Sequence, residues 1–171
     1  MIMKLEKPNI LHKEKYLDLI AKWSKEEDIS QTSPGALFQW ENFEKFLEII
    51  NNQRVNFPGE KVPAQLYFGI VWNEIVWAID IRFHINNEFL LQYGWHIWYG
   101  ISPLYRRKWY ATKMLWLALE ECKKLNISKA LVTCYTDNIA SAKTIEKNWG
   151  KLENIIDWNG RENSRYWIDI K

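Results

Sequence analysis

The segment from Tyr99 to Ala111 constrains the fold more than any other part of the chain. A β-rich run ends at Ile101, a turn containing proline follows, and an amphipathic helix is predicted to begin near Trp109. The N-terminus of a helix carries unpaired N–H groups and a partial positive charge, so it attracts diphosphates. Three basic residues lie just before this helix, and a solvated loop is the alternative interpretation of them: Arg106, Arg107 and Lys108.

The composition limits the class of protein. The chain has 171 residues, 47% of them hydrophobic and 26% charged, and we expect a single domain over residues 1–171. A net charge of +2 argues against a nucleic-acid partner. No apolar run approaches the length of a membrane span, so no membrane partner is expected and the cytoplasm is the predicted location. Cys122 and Cys134 are predicted to be buried, reduced thiols, and neither has metal-ligand spacing.

The first half of the chain changes from helical to β patterning. Apolar residues at helical spacing predict helices over 10–27 and 40–51, with a break at Thr32-Ser33-Pro34-Gly35 between them. The segment 56–63 is predicted to be a loop because it contains Pro58, Gly59 and Pro63. Two strands joined by a short turn are then predicted over 66–72 and 75–84.

The second half alternates strands and helices. The predicted order is a strand over 94–101, a helix over 109–124, a strand over 129–135, a helix to Lys147 capped by Asp137 or Asn138, and strands over 151–157 and 164–170. The strand–helix–strand unit from Gly94 to Tyr135 requires its two strands to be parallel. The sequence therefore predicts an α/β fold with a mixed sheet and helices on its faces.

Four short motifs in this half carry a resemblance to a known family. They are Trp95-His96-Ile97-Trp98-Tyr99, Arg106-Arg107-Lys108-Trp109-Tyr110-Ala111, Asn138-Ile139-Ala140-Ser141 continuing through Ile145 to Trp149-Gly150, and Arg165-Tyr166-Trp167. The region from about Ile75 to Ile170 resembles the GNAT superfamily of N-acetyltransferases. The resemblance implies the acyl-CoA N-acyltransferase fold, whose central mixed sheet is mostly antiparallel and is flanked by about four helices.

The resemblance also implies a reaction and a cofactor. A GNAT enzyme transfers acetyl from acetyl-CoA to an amine, which attacks the thioester directly. The backbone near Tyr99, Gly100 and Ile101 would pair with the pantetheine arm, and Asn138 with Ser141 would border the cofactor. The diphosphate would be held by Arg106, Arg107, Lys108, Trp109, Tyr110 and Ala111.

The catalytic residues are less well defined. Many GNAT members have a tyrosine acid where this chain has Ile145, so the candidates for the acid are Tyr135 and Tyr166, with Tyr110 beside them. His96 is the candidate base because its ordinary pKa suits that role, and a structural histidine is the alternative. One face of a predicted strand carries three polar residues, candidates either for substrate binding or for a structural salt bridge: Asp80, Arg82 and His84.

Tryptophan is unusually frequent, with eleven against seven glycines. By resemblance, five tryptophans occupy glycine positions of the family, and Trp158 is a further candidate: Trp77, Trp95, Trp98, Trp109 and Trp149. Two explanations stay open. The chain is a degenerate GNAT module whose cofactor groove is obstructed by Trp109, or the gene uses UGA for glycine and was translated with tryptophan.

The resulting prediction is an acetyl-CoA-dependent N-acetyltransferase acting on an amine of a small molecule or peptide. The alternative is a non-catalytic GNAT-like binding module. The chain is expected to be a monomer or a homodimer, and no metal is expected.

Overall fold

The computed structural model describes residues 3–25, 42–51, 55–57 and 60–171. This part of the chain contains five α-helices: α1 (Lys13–Trp23), α2 (Phe43–Asn51), α3 (Glu88–Tyr93), α4 (Tyr110–Lys124) and α5 (Ile139–Lys147). It also contains nine strands: β1 (Met3–Glu6), β2 (Val55–Phe57), β3 (Glu60–Val62), β4 (Ala64–Val71), β5 (Glu74–Arg82), β6 (Ile97–Ile101), β7 (Lys129–Tyr135), β8 (Lys151–Trp158) and β9 (Arg161–Asp169). Short 3₁₀ turns lie at Ile10–His12 and Pro103–Tyr105.

Seven strands form one sheet in the order β1-β4-β5-β6-β7-β9-β8. Strands β6 and β7 are parallel, with Ile97 opposite Val132, which confirms the predicted crossover. Strands β1 and β4, β7 and β9, and β8 and β9 pair antiparallel. The predicted mixed, mostly antiparallel sheet is therefore confirmed, with five helices where about four were expected.

The chain divides into two compact units, which are described separately. One unit consists of Met1–Asp80 and Tyr99–Tyr110. Its core joins Tyr16, Leu19 and Trp23 of α1 to the aromatic residues of α2 and β4. The ring of Tyr16 stacks on Phe46 with centroids 5.1 Å apart. These α1 residues follow the helical spacing of the sequence, so burial of one helix face explains the local structure.

The second unit consists of Ile81–Trp98 and Ala111–Lys171. The apolar face of α4 is buried as the sequence predicts, including Met114, Leu115 and Cys122. Both cysteines are buried and free. Burial raises the pKa of the Cys122 thiol to about 12 and that of Cys134 to about 11, so both thiols stay protonated at neutral pH.

One prediction of secondary structure was wrong, and one helix was missed. The segment 56–63 is not wholly a loop, because β2 and β3 pair antiparallel with Phe57 opposite Glu60. Helix α3 was not predicted, since its six residues are too few for a periodic signal. Asn87 is the N-cap residue of α3, and its side chain accepts a hydrogen bond from Leu90 N. An asparagine before an apolar segment is thus the one sequence feature that could have indicated where this helix begins.

Some predictions lie outside the described residues. They concern the break at Thr32–Gly35, the end of the first helix beyond residue 25, and the beginning of the second helix at Trp40. The single domain over residues 1–171 stays a prediction.

Candidate active site

The loop between β6 and α4 has an alternating backbone conformation. Arg107 and Trp109 are left-handed, with φ of 61° and 65°, whereas Lys108 between them is not. A change in the sign of φ between successive residues is typical of loops whose N–H groups turn toward one side and bind anions. Tyr110 then begins α4, whose first-turn N–H groups have no partners within the helix. The loop therefore combines two left-handed residues with a helix N-terminus, two features that anion-binding sites share.

The basic side chains of this loop are exposed, and two of them brace the loop. Arg106 Nε donates to the carbonyl of Ile101 at 3.1 Å, and Lys108 Nζ donates to the carbonyl of Leu104 at 3.1 Å. Both carbonyls belong to the segment that leads into the loop. Arg106 and Lys108 thus combine a positive charge with a structural role, while Arg107 is exposed in the left-handed turn.

Three residues that are predicted to pair with the pantetheine arm of the cofactor lie at the end of β6. Gly100 and Ile101 are buried, and Tyr99 is partly buried. The next residue, Ser102, donates its backbone N–H to the carbonyl of Val76 in β5 at 3.3 Å. This bond holds the end of β6 against β5 just before the loop begins.

His96 lies just before β6, 7% exposed, and makes two bonds with Leu131 of β7. Its backbone N–H donates to the Leu131 carbonyl at 2.8 Å, and its ring Nδ1 accepts the Leu131 N–H at 3.0 Å. Since a backbone N–H can only donate, Nδ1 carries no proton and the neutral ring bears its proton on Nε2. Burial, with the nearby charges of Arg82 and His84, lowers the pKa of His96 to about 4.

These contacts favour the structural interpretation of His96. The lone pair that a general base would use is already bonded to the Leu131 amide. Protonation of Nδ1 would break that bond and place a charge in a buried position. His96 is therefore a neutral link between β6 and β7, with Nε2–H as its remaining donor.

The two candidate tyrosines lie on opposite faces of the sheet. On β9, Trp167 is opposite Leu131 and Tyr166 is opposite Val132, and consecutive strand residues point to opposite faces. The His96 ring lies against the Trp167 ring, with centroids 6.1 Å apart, so Tyr166 is on the other face. Tyr135 shares the face of Trp167, but it lies four residues along β7 from Leu131, roughly 13 Å away along the strand. The structure does not bring His96 and Tyr166 together.

The polar face of β5 contains a buried arginine. Arg82 is 2% exposed, and its Nη1 donates to the carbonyl of Trp95 at 2.9 Å. Its guanidinium also lies over the Trp95 ring, 4.4 Å from the centroid. Asp80 and His84 are both partly buried, so they are more accessible than Arg82. Arg82 thus has structural contacts, whereas Asp80 and His84 keep partial access to solvent.

Asn138 is the N-cap residue of α5, and Ser141 lies in the first turn of that helix. The Asn138 side-chain oxygen accepts a hydrogen bond from Ser141 N at 3.1 Å. Such a cap satisfies one of the unpaired N–H groups of the helix. The Asn-x-x-Ser motif therefore has a local structural explanation in addition to the role that the resemblance implies.

Among the described residues, three tryptophans have left-handed backbones, and all three are exposed. They are Trp72, Trp109 and Trp149, with φ of 52°, 65° and 64° and exposed fractions of 77%, 72% and 71%. A bulky residue with positive φ is an outlier, because its Cβ crowds the backbone. Trp72 and Asn73 form the turn between β4 and β5, which requires positive φ at both positions. Trp149 follows the C-cap of α5, the position that glycine most often takes.

The other tryptophans of the proposed glycine set are packed instead. Trp77 is fully buried, and a Cβ added at Gly69 would lie only 1.5 Å from the Trp77 ring. The indole therefore fills the space that Gly69 leaves open. Trp95 and Trp98 contact each other edge to face, with centroids 4.4 Å apart. Trp158 packs against Tyr93, with centroids 4.8 Å apart. Left-handed backbone accordingly distinguishes Trp109 and Trp149 from the rest of that set.

In the described ranges, no cluster of three or more His, Cys, Asp or Glu side chains could hold a metal ion. No helix in these ranges has the length and apolar character that crossing a membrane requires.

Comparison with known proteins identifies the type of fold. Residues 80–150 match the family model described as the Acetyltransferase (GNAT) family. No curated protein sequence matches the chain. The structure is similar to RimL, a ribosomal L7/L12 alpha-N-protein acetyltransferase in complex with coenzyme A, with a TM-score of 0.70, 15% identity, and coverage of 98% of this chain and 94% of RimL.

Two further solved structures have the same fold. One is the microcin C7 self-immunity acetyltransferase MccE in complex with acetyl-CoA and AMP, with a TM-score of 0.68, 16% identity, and coverage of 98% of this chain and 92% of MccE. The other is an acetyltransferase from Salmonella typhimurium that modifies the N-terminal serine of ribosomal protein L7/L12, with a TM-score of 0.66, 16% identity, and coverage of 99% of this chain and 95% of that one.

Proposed function

Residues 80–150 match the model of the GNAT acetyltransferase family, and on that premise we propose that the chain is a GNAT acetyltransferase that transfers acetyl from acetyl-CoA to an amine of a small molecule or peptide. The observation that carries the proposal is the alternating loop before α4, with left-handed Arg107 and Trp109 and three basic side chains. When bound, acetyl-CoA supplies an acetyl thioester whose carbonyl carbon the amine attacks. The proposed location is the cytoplasm, which keeps thiols such as Cys122 and Cys134 reduced.

The residues of the loop fit a diphosphate. Backbone N–H groups at the start of α4, from Tyr110 onward, would donate to its oxygens, and Arg106, Arg107 and Lys108 would neutralise its charge. The backbone of Tyr99, Gly100 and Ile101 would lie along the pantetheine arm. Asn138 and Ser141, at the start of α5, would border the cofactor, as the resemblance implies.

The proton of the amine would leave through water. His96 is bonded at Nδ1 to Leu131 N and has a pKa of about 4, so it is neutral and keeps its Nε2–H as a donor. Asp80 lies on β5, whereas His84 lies two residues beyond the end of this strand. These two residues are the better candidates for contact with the acceptor, because Arg82 is buried against Trp95. Tyr135 is the more accessible candidate acid, since it is 37% exposed and Tyr166 is 6% exposed.

A second function is favoured by one observation, the left-handed Trp109 in the loop itself. Its indole projects from the segment that would approach the diphosphate most closely. In this alternative the chain is a GNAT-like binding module without transferase activity. The two functions are distinguished by release of free coenzyme A thiol when acetyl-CoA is mixed with a panel of amines.

We expect Trp109→Gly to bind acetyl-CoA at least about tenfold more tightly than the unchanged chain, because glycine adopts positive φ without strain and removes the indole from the loop. Isothermal calorimetry of the two proteins with acetyl-CoA measures the difference. Trp116→Gly is the matched control, since it makes the same exchange on an exposed part of α4 away from the loop. If neither the unchanged chain nor Trp109→Gly binds acetyl-CoA, the proposed function is wrong.

A further inference from the structure

A buried asparagine connects the two helices of the second unit. Asn148 is the C-cap residue of α5 and is 2% exposed. Its side-chain Nδ2 donates to the carbonyl of Thr112 at 3.1 Å and to the carbonyl of Thr144 at 2.9 Å. An amide nitrogen has two hydrogens, so these two bonds use its whole donor capacity.

The two acceptors differ in their distance along the chain. Thr144 lies one turn earlier in α5, whereas Thr112 lies 36 residues earlier, in the first turn of α4. This first turn presents the unpaired N–H groups that follow the alternating loop. One side chain thus fixes the start of α4 to the end of α5.

The backbone around Asn148 holds its side chain in place. The N–H groups of Asn148 and Gly150 both donate to the carbonyl of Ile145, and that of Trp149 donates to the carbonyl of Glu146. This is the closed C-terminus of a helix that ends in a left-handed residue, here Trp149 with φ of 64°. Since the backbone is fixed on both sides, Asn148 can transmit the position of α5 to α4.

We propose that Asn148 is a positioning residue that orients the first-turn N–H groups of α4 toward the diphosphate of the cofactor. The inference rests on the proposed function, because it assumes that α4 receives the diphosphate. Asn148 itself contacts no part of the reaction. Asn148 acts through its hydrogen bond to the carbonyl of Thr112, which sets the position of the first turn of α4. Because this turn would contact only the diphosphate, Asn148 should affect the binding of ligands that carry a diphosphate and not of ligands that lack one.

Asn148→Asp tests the inference with almost no change in shape. The carboxylate cannot donate, so the carbonyls of Thr112 and Thr144 lose their partner and face a negative charge. We expect affinity for acetyl-CoA to fall about tenfold, the typical effect of losing one buried hydrogen bond, here the bond to Thr112 that joins α5 to α4. Affinity for S-acetylpantetheine, which has the thioester but no diphosphate, should stay within about twofold. Isothermal calorimetry, with displacement titration for the weaker ligand, measures the two affinities. Asn148→Asp is introduced for this purpose both into the unchanged chain and into the Trp109→Gly variant.

Asn163→Asp is the matched control. Asn163 is also buried, 7% exposed, but it lies on β9 between Tyr135 and Ile156 and away from α4. Its variant should keep the preference for acetyl-CoA over S-acetylpantetheine. The inference is overturned if Asn148→Asp weakens both ligands equally or changes neither.

Hydrogen exchange separates this inference from the proposed function. Asn148→Asp should speed exchange of the amides that donate to the first-turn carbonyls of α4, from Met114 to Trp116, relative to the last turn of the same helix. This measurement needs no ligand and is interpretable even if acetyl-CoA fails to bind. Unchanged exchange of these amides overturns the positioning role. Failure of the unchanged chain and of Trp109→Gly to bind acetyl-CoA counts against the proposed function alone.

Discussion

At the scale of single residues, the tryptophans divide by backbone conformation. Trp109 and Trp149 are exposed in the left-handed region, which fits glycine, whereas Trp77 is buried against Gly69. Large residues in left-handed positions cost roughly 1–2 kcal/mol relative to glycine. Conversely, loss of a fully buried tryptophan opens a cavity at a cost of about 3–5 kcal/mol. Glycine is therefore expected to relieve strain at Trp109 and Trp149 but to open a cavity at Trp77. The two left-handed positions fit the recoding hypothesis better than the buried position does.

We expect Trp149→Gly to stabilise the protein by about 0.5–1 kcal/mol, because strain relief at the end of α5 exceeds the added freedom of the unfolded chain. Trp116→Gly, within α4, should instead destabilise by about 1 kcal/mol. Urea unfolding of both variants measures whether each substitution raises or lowers the free energy of unfolding. If Trp149→Gly destabilises the protein as much as Trp116→Gly does, strain at Trp149 is not relieved by glycine. Codon sequencing completes the test, since UGG at positions 77, 95, 98, 109 and 149 excludes recoding.

At the scale of elements, α3 shows how tertiary contacts hold a helix that is too short to persist alone. Arg165 of β9 is 5% exposed, and its guanidinium donates to the carbonyls of Gln92 and Leu91 at 2.5 and 2.6 Å. It also contacts the Glu153 carboxylate, 3.1 Å away. Glu153 is the residue that the register of β8 with β9 skips, so a bulge provides this partner. The arginine of the Arg165-Tyr166-Trp167 motif therefore has a structural role, since it connects β9 to α3.

Arg165→Lys should destabilise the protein by about 2–4 kcal/mol, because a single ammonium cannot replace the planar fork that serves two buried carbonyls and a carboxylate. The exposed Arg161, paired with Asp137, provides the comparison, and Arg161→Lys should change stability by less than about 1 kcal/mol. Denaturant midpoints of the two variants measure the contrast. Equal effects would mean that Arg165 does not hold α3 in the way described.

At the scale of the whole molecule, the buried His96 makes folding stability depend on pH. Its pKa in the folded protein is about 4, below the ordinary value of 6.5. The unfolded chain therefore binds more protons between these values, and stability falls as pH decreases from 6.5 to 4. The contribution is roughly 3 kcal/mol.

His96→Asn removes this contribution while its side-chain oxygen can still accept the Leu131 N–H. We expect the difference in unfolding free energy between wild type and variant to change by roughly 3 kcal/mol across this range of pH and to be constant above about pH 7. Denaturant unfolding at several pH values measures it. A constant difference throughout would show that the histidine is not held neutral.

Much of the fold could be predicted from local patterns. The strand over Lys129–Tyr135 was predicted with its observed ends, and the buried face of α4 follows from apolar spacing. The parallel pairing of β6 and β7 follows from their helical connection. Six-residue α3 and the short β2–β3 pair were missed, because too few residues take part for a periodic signal to form.

The sequence by itself determined most of the segments that become helices and strands, and it predicts an anion-binding loop before α4. These features depend on residues close together in the chain, where periodicity, turns and caps act. Only the tertiary structure decided that His96 is neutral and that Arg165 holds α3. It also decided that Asn148 fixes α4 and that Trp109 is left-handed. Such features depend on burial and on hydrogen bonds between distant residues, for example 36 residues apart for Asn148 and Thr112. No local pattern encodes them.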